Sequence, residues 1–125
     1  MLYYDSNSFY ILQVTGDKMS ISSVAFERLD TMGVPTNSFS GQRWAEFYPT
    51  IKVGVCMRIE ILGSTPYLDP AQCNNQYVVT RTPNRDDPGI FWTPLEGSSQ
   101  FRVLWNKEEV ARCEIAAQVC EVFFP

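Results

Sequence analysis

Histidine is absent from this sequence, and it is the side chain that most often serves as general base, nucleophile activator or zinc ligand near neutral pH. The serine pairs Ser22-Ser23 and Ser98-Ser99 lie outside any GxSxG context, so a serine nucleophile has no support. Carboxylates alone can hydrolyse glycosides, and Asp86 and Asp87 are the candidate pair. The same two residues are weak calcium candidates, because a hard cation needs several more oxygen ligands. We expect no enzyme, no metal and no cofactor.

Positive charge is also scarce. Ten Lys and Arg residues against fourteen Asp and Glu residues leave a net charge of −4, and the basic residues are too scattered to follow a phosphate backbone. No run approaches the ~20 apolar residues of a membrane span. The N-terminal residues have no basic segment and are interrupted by Asp5, unlike a signal peptide. We therefore expect no nucleic-acid partner, no direct membrane insertion and no signal peptide in this segment.

Close cysteine pairs are missing as well. The four cysteines are Cys56, Cys73, Cys113 and Cys120, and their wide intervals differ from the CxxC pairs of a zinc site. A four-cysteine metal site and free buried thiols in a cytosolic protein are the alternatives. We favour two local disulfides, Cys56–Cys73 and Cys113–Cys120, which would indicate an oxidising compartment.

What is present is the composition of a β-rich globular domain. The 125 residues are 45% hydrophobic and 14% aromatic, with eight prolines and seven glycines that indicate many turns. The clearest strand is Val53–Leu62, in which apolar residues alternate. In Met19–Leu29 the alternation changes phase at Ser22-Ser23, which predicts a bulge or a strand that moves between sheets. Short strands recur through the chain without βαβ spacing, and Ile90–Trp92 is one of them. We predict a single all-β domain over 1–125, an antiparallel β-sandwich of about 7–9 strands.

The stretch Gln100–Phe124 favours two consecutive β-hairpins. A three-residue turn at 106–108 sets Phe101 against Cys113, and the preceding FRVLW alternates with period two. The alternative is a helix over 107–119, because 106–109 resembles a capping box and apolar residues also recur at helical spacing.

A second reversal at Ala116-Ala117 would place Cys113 directly opposite Cys120. The same register places Arg112 opposite Glu121 as a cross-strand ion pair and separates an apolar face from a charged face. Opposed residues in such a pair are close enough to form a disulfide.

Four aromatic residues in or beside irregular segments are weak ligand-binding candidates: Trp44, Tyr48, Tyr67 and Trp92. Loops carry most binding residues, and sugars or peptides stack on such rings. The alternative is that Trp44 and Trp92 seal the two ends of the core. A helical turn around Arg43–Phe47 is also consistent with the spacing.

The order of motifs resembles bacterial immunoglobulin-like modules of the lamin-tail-like kind. The resemblance covers SFYILQVTGDKMSISSVAFERL, Arg43-Trp44, Lys52-Val53-Gly54 with Cys56, Phe91-Trp92 and FRVLWNKEEVARCEIAAQVCEVFFP. It implies an immunoglobulin-like fold and an accessory role in larger bacterial proteins such as serine/threonine kinases, with no catalytic residue to carry over. Ser22-Ser23 stands where such a module would have a second glycine, and Asn106-Lys107 where Asn-Gly would make the ideal turn.

These observations predict a non-catalytic binding or sensory module, excised from a larger polypeptide and located outside the cytoplasm or at the cell surface. Its expected ligand is an unidentified protein or glycan. The alternatives are a carbohydrate-binding module that uses exposed aromatic rings, a carboxylate-dependent hydrolase, and a structural spacer or oligomerisation module.

Overall fold

The computed structural model describes residues 1–13, 18–61, 75–82, 87–94 and 97–125, with the backbone alone for 75–82. This part of the chain forms an all-β fold with one short helix, α1 (Gln42–Ala45), and two 3-10 turns, Ile21–Ser23 and Ile115–Ala117. Its strands are β1 (Leu2–Tyr4), β2 (Ser8–Leu12), β3 (Met19–Ser20), β4 (Val24–Leu29), β5 (Pro35–Ser40), β6 (Thr50–Ile51), β7 (Val55–Ile61), β8 (Asn75–Thr82), β9 (Gln100–Trp105), β10 (Glu108–Glu114) and β11 (Val119–Cys120).

Three sheets contain these strands. A five-stranded sheet has the order β11-β1-β2-β7-β8, a four-stranded sheet has the order β10-β9-β4-β5, and β3 pairs with β6. All pairs between the described strands are antiparallel except β7 and β8, which run parallel. The prediction of an antiparallel sandwich is therefore wrong for the pair β7 and β8, at one edge of the five-stranded sheet. The eleven described strands also exceed the predicted 7–9, because β3, β6 and β11 are only two residues long.

The phase change in Met19–Leu29 marks a strand that changes sheet, as predicted. Residues 19–20 belong to the small sheet, the 3-10 turn follows, and Val24–Leu29 enters the four-stranded sheet. Gly41 lies against this crossing, where a Cβ would collide with the carbonyl oxygen of Ile21. Only glycine allows this close approach of two backbones.

The first C-terminal hairpin is confirmed, and a helix over 107–119 is wrong. Phe101 pairs with Cys113 across β9 and β10, and the register shifts between Glu109 and Ala111. The turn itself has two residues, Asn106 and Lys107, whose φ angles are +49° and +71°. Positive φ at both positions is the requirement of a type I′ turn. The predicted turn of three residues was one residue too long. The pairing of Phe101 with Cys113 is still correct, because the bulge adds one residue to β10.

The second predicted hairpin does not form. After the 3-10 turn, Gln118 takes a left-handed φ of +65° and Cys120 pairs with Leu2 of β1, in the other large sheet. Without β11, β1 would be the edge strand of that sheet with unpaired hydrogen-bonding groups, and the crossover also buries Ile115. Consequently Arg112 does not pair with Glu121; its Nε atom lies 3.0 Å from Oε2 of Glu109.

The Cys113–Cys120 disulfide is present, with Cα atoms 5.8 Å apart. Because β10 and β11 belong to different sheets, the bond links the two large sheets instead of closing a hairpin. The predicted partner of Cys56 was Cys73, which lies outside the described residues. Cys56 itself is buried on β7, and the Cys56–Cys73 pairing stays a prediction.

Both large sheets contribute to one aromatic core. The ring of Phe9 on β2 lies 5.0 Å from that of Phe26 on β4 and 4.8 Å from that of Phe91, measured between centroids. Phe91 also stacks on Phe26 at 4.7 Å. The predicted strand at Ile90–Trp92 is wrong, since this segment is irregular. Its three side chains are nevertheless buried, because the segment enters the core without sheet pairing.

Candidate functional site

A cavity of about 330 Å³ opens beside the crossover from β10 to β11. Ligand sites of small molecules begin at about this size and are mostly apolar with a few polar groups. Twelve described residues form its lining: Tyr4, Asp5, Ser6, Trp92, Thr93, Pro94, Ser98, Ser99, Glu114, Ile115, Ala116 and Gln118. They come from the end of β1, the irregular segment around Trp92, and the crossover itself.

Tyr4 joins two of these walls. Its hydroxyl donates to the main-chain oxygen of Glu114 at 2.7 Å, and its N–H donates to the main-chain oxygen of Gln118 at 3.0 Å. Burial, followed by the negative charge of Glu114, raises the pKa of Tyr4 to about 12. The hydroxyl therefore stays protonated at neutral pH and remains a hydrogen-bond donor.

Trp92 fixes the opposite wall. Its Nε1–H donates to the main-chain oxygen of Asp5 at 2.9 Å, and its ring packs against Phe9 and Phe91 at centroid distances of 5.7 and 5.2 Å. The indole is 1% exposed overall, so only an edge of it can reach the cavity. The indole N–H therefore has a hydrogen-bond partner, and the ring is held by its contacts with Phe9 and Phe91.

The crossover wall is enclosed by the disulfide. Four lining residues, Glu114 to Ala116 and Gln118, lie between Cys113 and Cys120 in the chain. The N–H of Ile115 donates to the main-chain oxygen of Ser99 at 2.9 Å, which ties this wall to the start of β9. The shape of the cavity thus depends on a short loop held at both ends by one covalent bond.

Two acidic residues belong to the lining, Asp5 and Glu114. Oδ1 of Asp5 accepts the N–H groups of Asn7 and Ser8 at 2.8 and 2.9 Å, which closes the turn after β1. Oε1 of Glu114 accepts the side-chain amide of Gln100 at 2.7 Å. All of these donors are neutral, and no Lys or Arg occurs among the described lining residues.

The two tryptophans predicted as weak ligand-binding residues are core residues. Trp44 is fully buried, with its ring 4.8 Å from that of Phe39. Its Nε1 has no hydrogen-bond partner among the described residues. Neither Trp44 nor Trp92 presents a ring face for stacking, and sealing of the core is the correct interpretation. Of the other two candidates, Tyr48 is 41% exposed just after α1, and Tyr67 lies outside the described residues.

Asp87 acts as a turn residue. Its Oδ1 accepts the N–H of Gly89 at 2.8 Å, and its main-chain oxygen accepts the N–H of Ile90 at 3.0 Å. Asp86 lies outside the described residues, so their pairing as calcium ligands or catalytic carboxylates stays a prediction. In the described ranges no group of three or more Cys, Asp or Glu side chains is placed to hold a metal ion.

The cavity was not predicted from the sequence. Tyr4 and Glu114 are separated by 110 positions, and neither belongs to a motif. The available signal was the pair of cysteines around 114–119, but the hairpin interpretation assigned this segment to a single sheet.

Comparisons with known proteins give no indication of what this site binds. No family model, no curated protein and no solved structure matches the chain. Within the described residues, α1 is the only α-helix, and no helix has the length and apolar character needed to cross a membrane.

Proposed function

We propose that the chain is a non-catalytic binding module with an immunoglobulin-like β-sandwich fold, and that it binds a protein ligand at the cavity beside the crossover. The sandwich is supported by the shared aromatic core, in which Phe9 of one large sheet contacts Phe26 of the other. The resemblance to lamin-tail-like bacterial modules supports an accessory role in a larger protein. A purely structural spacer is the outcome if the cavity binds nothing.

The observation that carries this proposal is the construction of the cavity. A mostly apolar concave site with a few oriented polar groups is the usual form of a ligand site. Here Tyr4 and Trp92 are each positioned by a hydrogen bond to a main-chain oxygen, and the crossover wall is held by the Cys113–Cys120 bond. Such fixed walls reduce the conformational entropy lost when a ligand binds.

A location outside the cytoplasm is supported by the same disulfide. Disulfides persist in oxidising compartments and are rare where glutathione and thioredoxin keep thiols reduced. The predicted Cys56–Cys73 bond would strengthen this argument. Mass spectrometry of unreduced protein, isolated with a thiol-blocking reagent present, measures both pairings directly.

A protein ligand is favoured over a glycan because the tryptophan faces are unavailable. Sugar-binding platforms need exposed rings on which pyranoses stack, whereas Trp44 and Trp92 are at most 1% exposed. The carboxylate of Asp87 accepts a hydrogen bond within its own turn, as in an ordinary turn residue. Binding without chemistry is what the described residues favour.

The test is a fragment screen by ¹H–¹⁵N correlation NMR with small amines, acids, aromatic compounds and sugars. We expect some fragments to shift the amide signals of Ile115 and Gln118 and the indole signal of Trp92. The variant Ala116→Phe should abolish these shifts by filling the cavity mouth. Ala117→Phe is the matched control, because Ala117 is also exposed but is not a lining residue.

Absence of binding at millimolar fragment concentrations would contradict the proposal. Shifts that persist unchanged in Ala116→Phe would contradict it as well, because they would place the binding elsewhere.

A further inference from the structure

We infer that the cavity receives a basic side chain, the Lys or Arg of a peptide segment in a partner protein. This inference rests on the proposed function and names the chemistry of the ligand. The described lining combines two acidic residues with apolar surface and includes no basic residue. That combination is complementary to a side chain with a long hydrocarbon stem and a cationic end.

The carboxylates belong to different walls. Asp5 lies in the turn that follows β1, and Glu114 ends β10 at the start of the crossover. The hydrogen bonds of both carboxylates come from neutral amide groups. In the described part of the chain neither of them makes an ion pair. A cation that enters the cavity would therefore gain their attraction without first breaking a salt bridge.

The apolar lining accounts for the stem of such a side chain. Ile115, Pro94 and Ala116 offer aliphatic surface, and the rings of Tyr4 and Trp92 lie beside them. The Tyr4 hydroxyl is uncharged at neutral pH, like that of any tyrosine, and its raised pKa of about 12 extends this state into alkaline solution.

Arg28 contacts the segment of Thr93, and it does not occupy the cavity. It is 2% exposed, and its Nη1 donates to the main-chain oxygen of Thr93 at 2.9 Å. It is not one of the lining residues. Among the described residues, the lining therefore contains two acidic side chains and no basic one.

The experiment compares four acetylated and amidated peptides, Gly-X-Gly, in which X is lysine, arginine, norleucine or glutamate. Norleucine keeps the hydrocarbon stem and removes the charge. By NMR titration we expect the lysine and arginine peptides to bind at least tenfold more tightly than the norleucine peptide. Their affinity should fall severalfold between low and high salt, because ions screen exposed carboxylates. The glutamate peptide should cause no shifts.

Two variants test the carboxylates themselves. Asp5→Asn and Glu114→Gln keep an oxygen acceptor for the existing hydrogen bonds while removing the charge, and we expect each to weaken the lysine peptide severalfold. Glu108→Gln is the matched control, because Glu108 is exposed on the same strand as Glu114 but does not line the cavity. It changes net charge equally and should leave the affinity unchanged.

The outcomes separate the two proposals. The basic-side-chain inference is wrong if the norleucine or glutamate peptide binds as tightly as the lysine peptide. It is also wrong if Glu108→Gln weakens binding as much as Glu114→Gln. In both cases the proposed binding site is still supported. If fragments bind but none of the peptides does, the same conclusion holds. If neither fragments nor peptides shift the lining signals, the proposed function fails together with the inference.

Discussion

Removal of the Cys113–Cys120 disulfide should destabilise the protein, and the size of the effect follows from its position. The bond joins β10 in one large sheet to β11 in the other, across a sequence separation of seven residues. Cys113 is 1% exposed, and Cys120 on the edge strand β11 pairs with Leu2 of β1. Without the bond, β11 is held by its short pairing with β1 and by packing of the crossover.

The chain-entropy model gives the magnitude. A closed loop of about seven residues restricts the unfolded chain by about 2.4 kcal/mol at 25 °C. For 125 residues, an unfolding entropy of about 2.1 cal/mol/K per residue converts this free energy into a decrease in Tm of about 9 °C. The short loop keeps the value near the low end of the usual range for native disulfides.

The assay is urea unfolding of the wild type and of Cys113→Ala/Cys120→Ala, each with and without dithiothreitol. Substitution alone also removes two sulfur atoms from packed positions, which adds a packing cost to the loss of the bond. Reduction of the wild type keeps both sulfur atoms. The effect of reductant on the wild type minus its effect on the double variant isolates the Cys113–Cys120 bond, because the other two cysteines are common to both proteins.

We expect this difference to be about 2 kcal/mol of unfolding free energy, with a similar urea dependence in both proteins. A difference below about 0.5 kcal/mol would refute the reasoning, because the unfolded chain would then gain little freedom when the bond is cut. The fragments that bind at the cavity offer a second readout, since Glu114 to Gln118 should become mobile and their binding should weaken.

Three further predictions concern single side chains. Lys107→Gly should raise the unfolding free energy by about 1 kcal/mol in urea titrations, because Asn106 and Lys107 both have positive φ; a loss would contradict the turn. Trp92→Phe should cost about 1 kcal/mol more than Trp44→Phe, because among the described residues the Trp92 indole has a hydrogen-bond partner and the Trp44 indole has none; equal costs would contradict this. The absorbance at 295 nm lost in Tyr4→Phe should titrate near pH 12. The contribution of the raised pKa to the free energy of unfolding should be fully present below pH 10 and should decrease between pH 10 and 12. Titration of Tyr4 near pH 10 would contradict the raised pKa.

Local patterns in the sequence predicted the features that depend on neighbouring residues. Alternation identified β7 and β9, and the phase change at Ser22-Ser23 marked the strand that changes sheet. The pairing of Phe101 with Cys113 followed from alternation on both sides of a short turn. In each case the physical basis is the two-residue repeat of a strand, which can be recognised within about ten residues.

The sequence by itself therefore determined an all-β chain and the hairpin of β9 and β10. It also paired Cys113 with Cys120, but through a second hairpin that does not form. Only the tertiary structure decided that β11 pairs with β1 and that β8 runs parallel to β7. The cavity depends on this choice, because its walls combine Tyr4 with residues 114–118. Strand pairing is selected by which edge has free hydrogen-bonding groups and which side chains the core can bury, and both conditions are set by distant segments after the chain has folded.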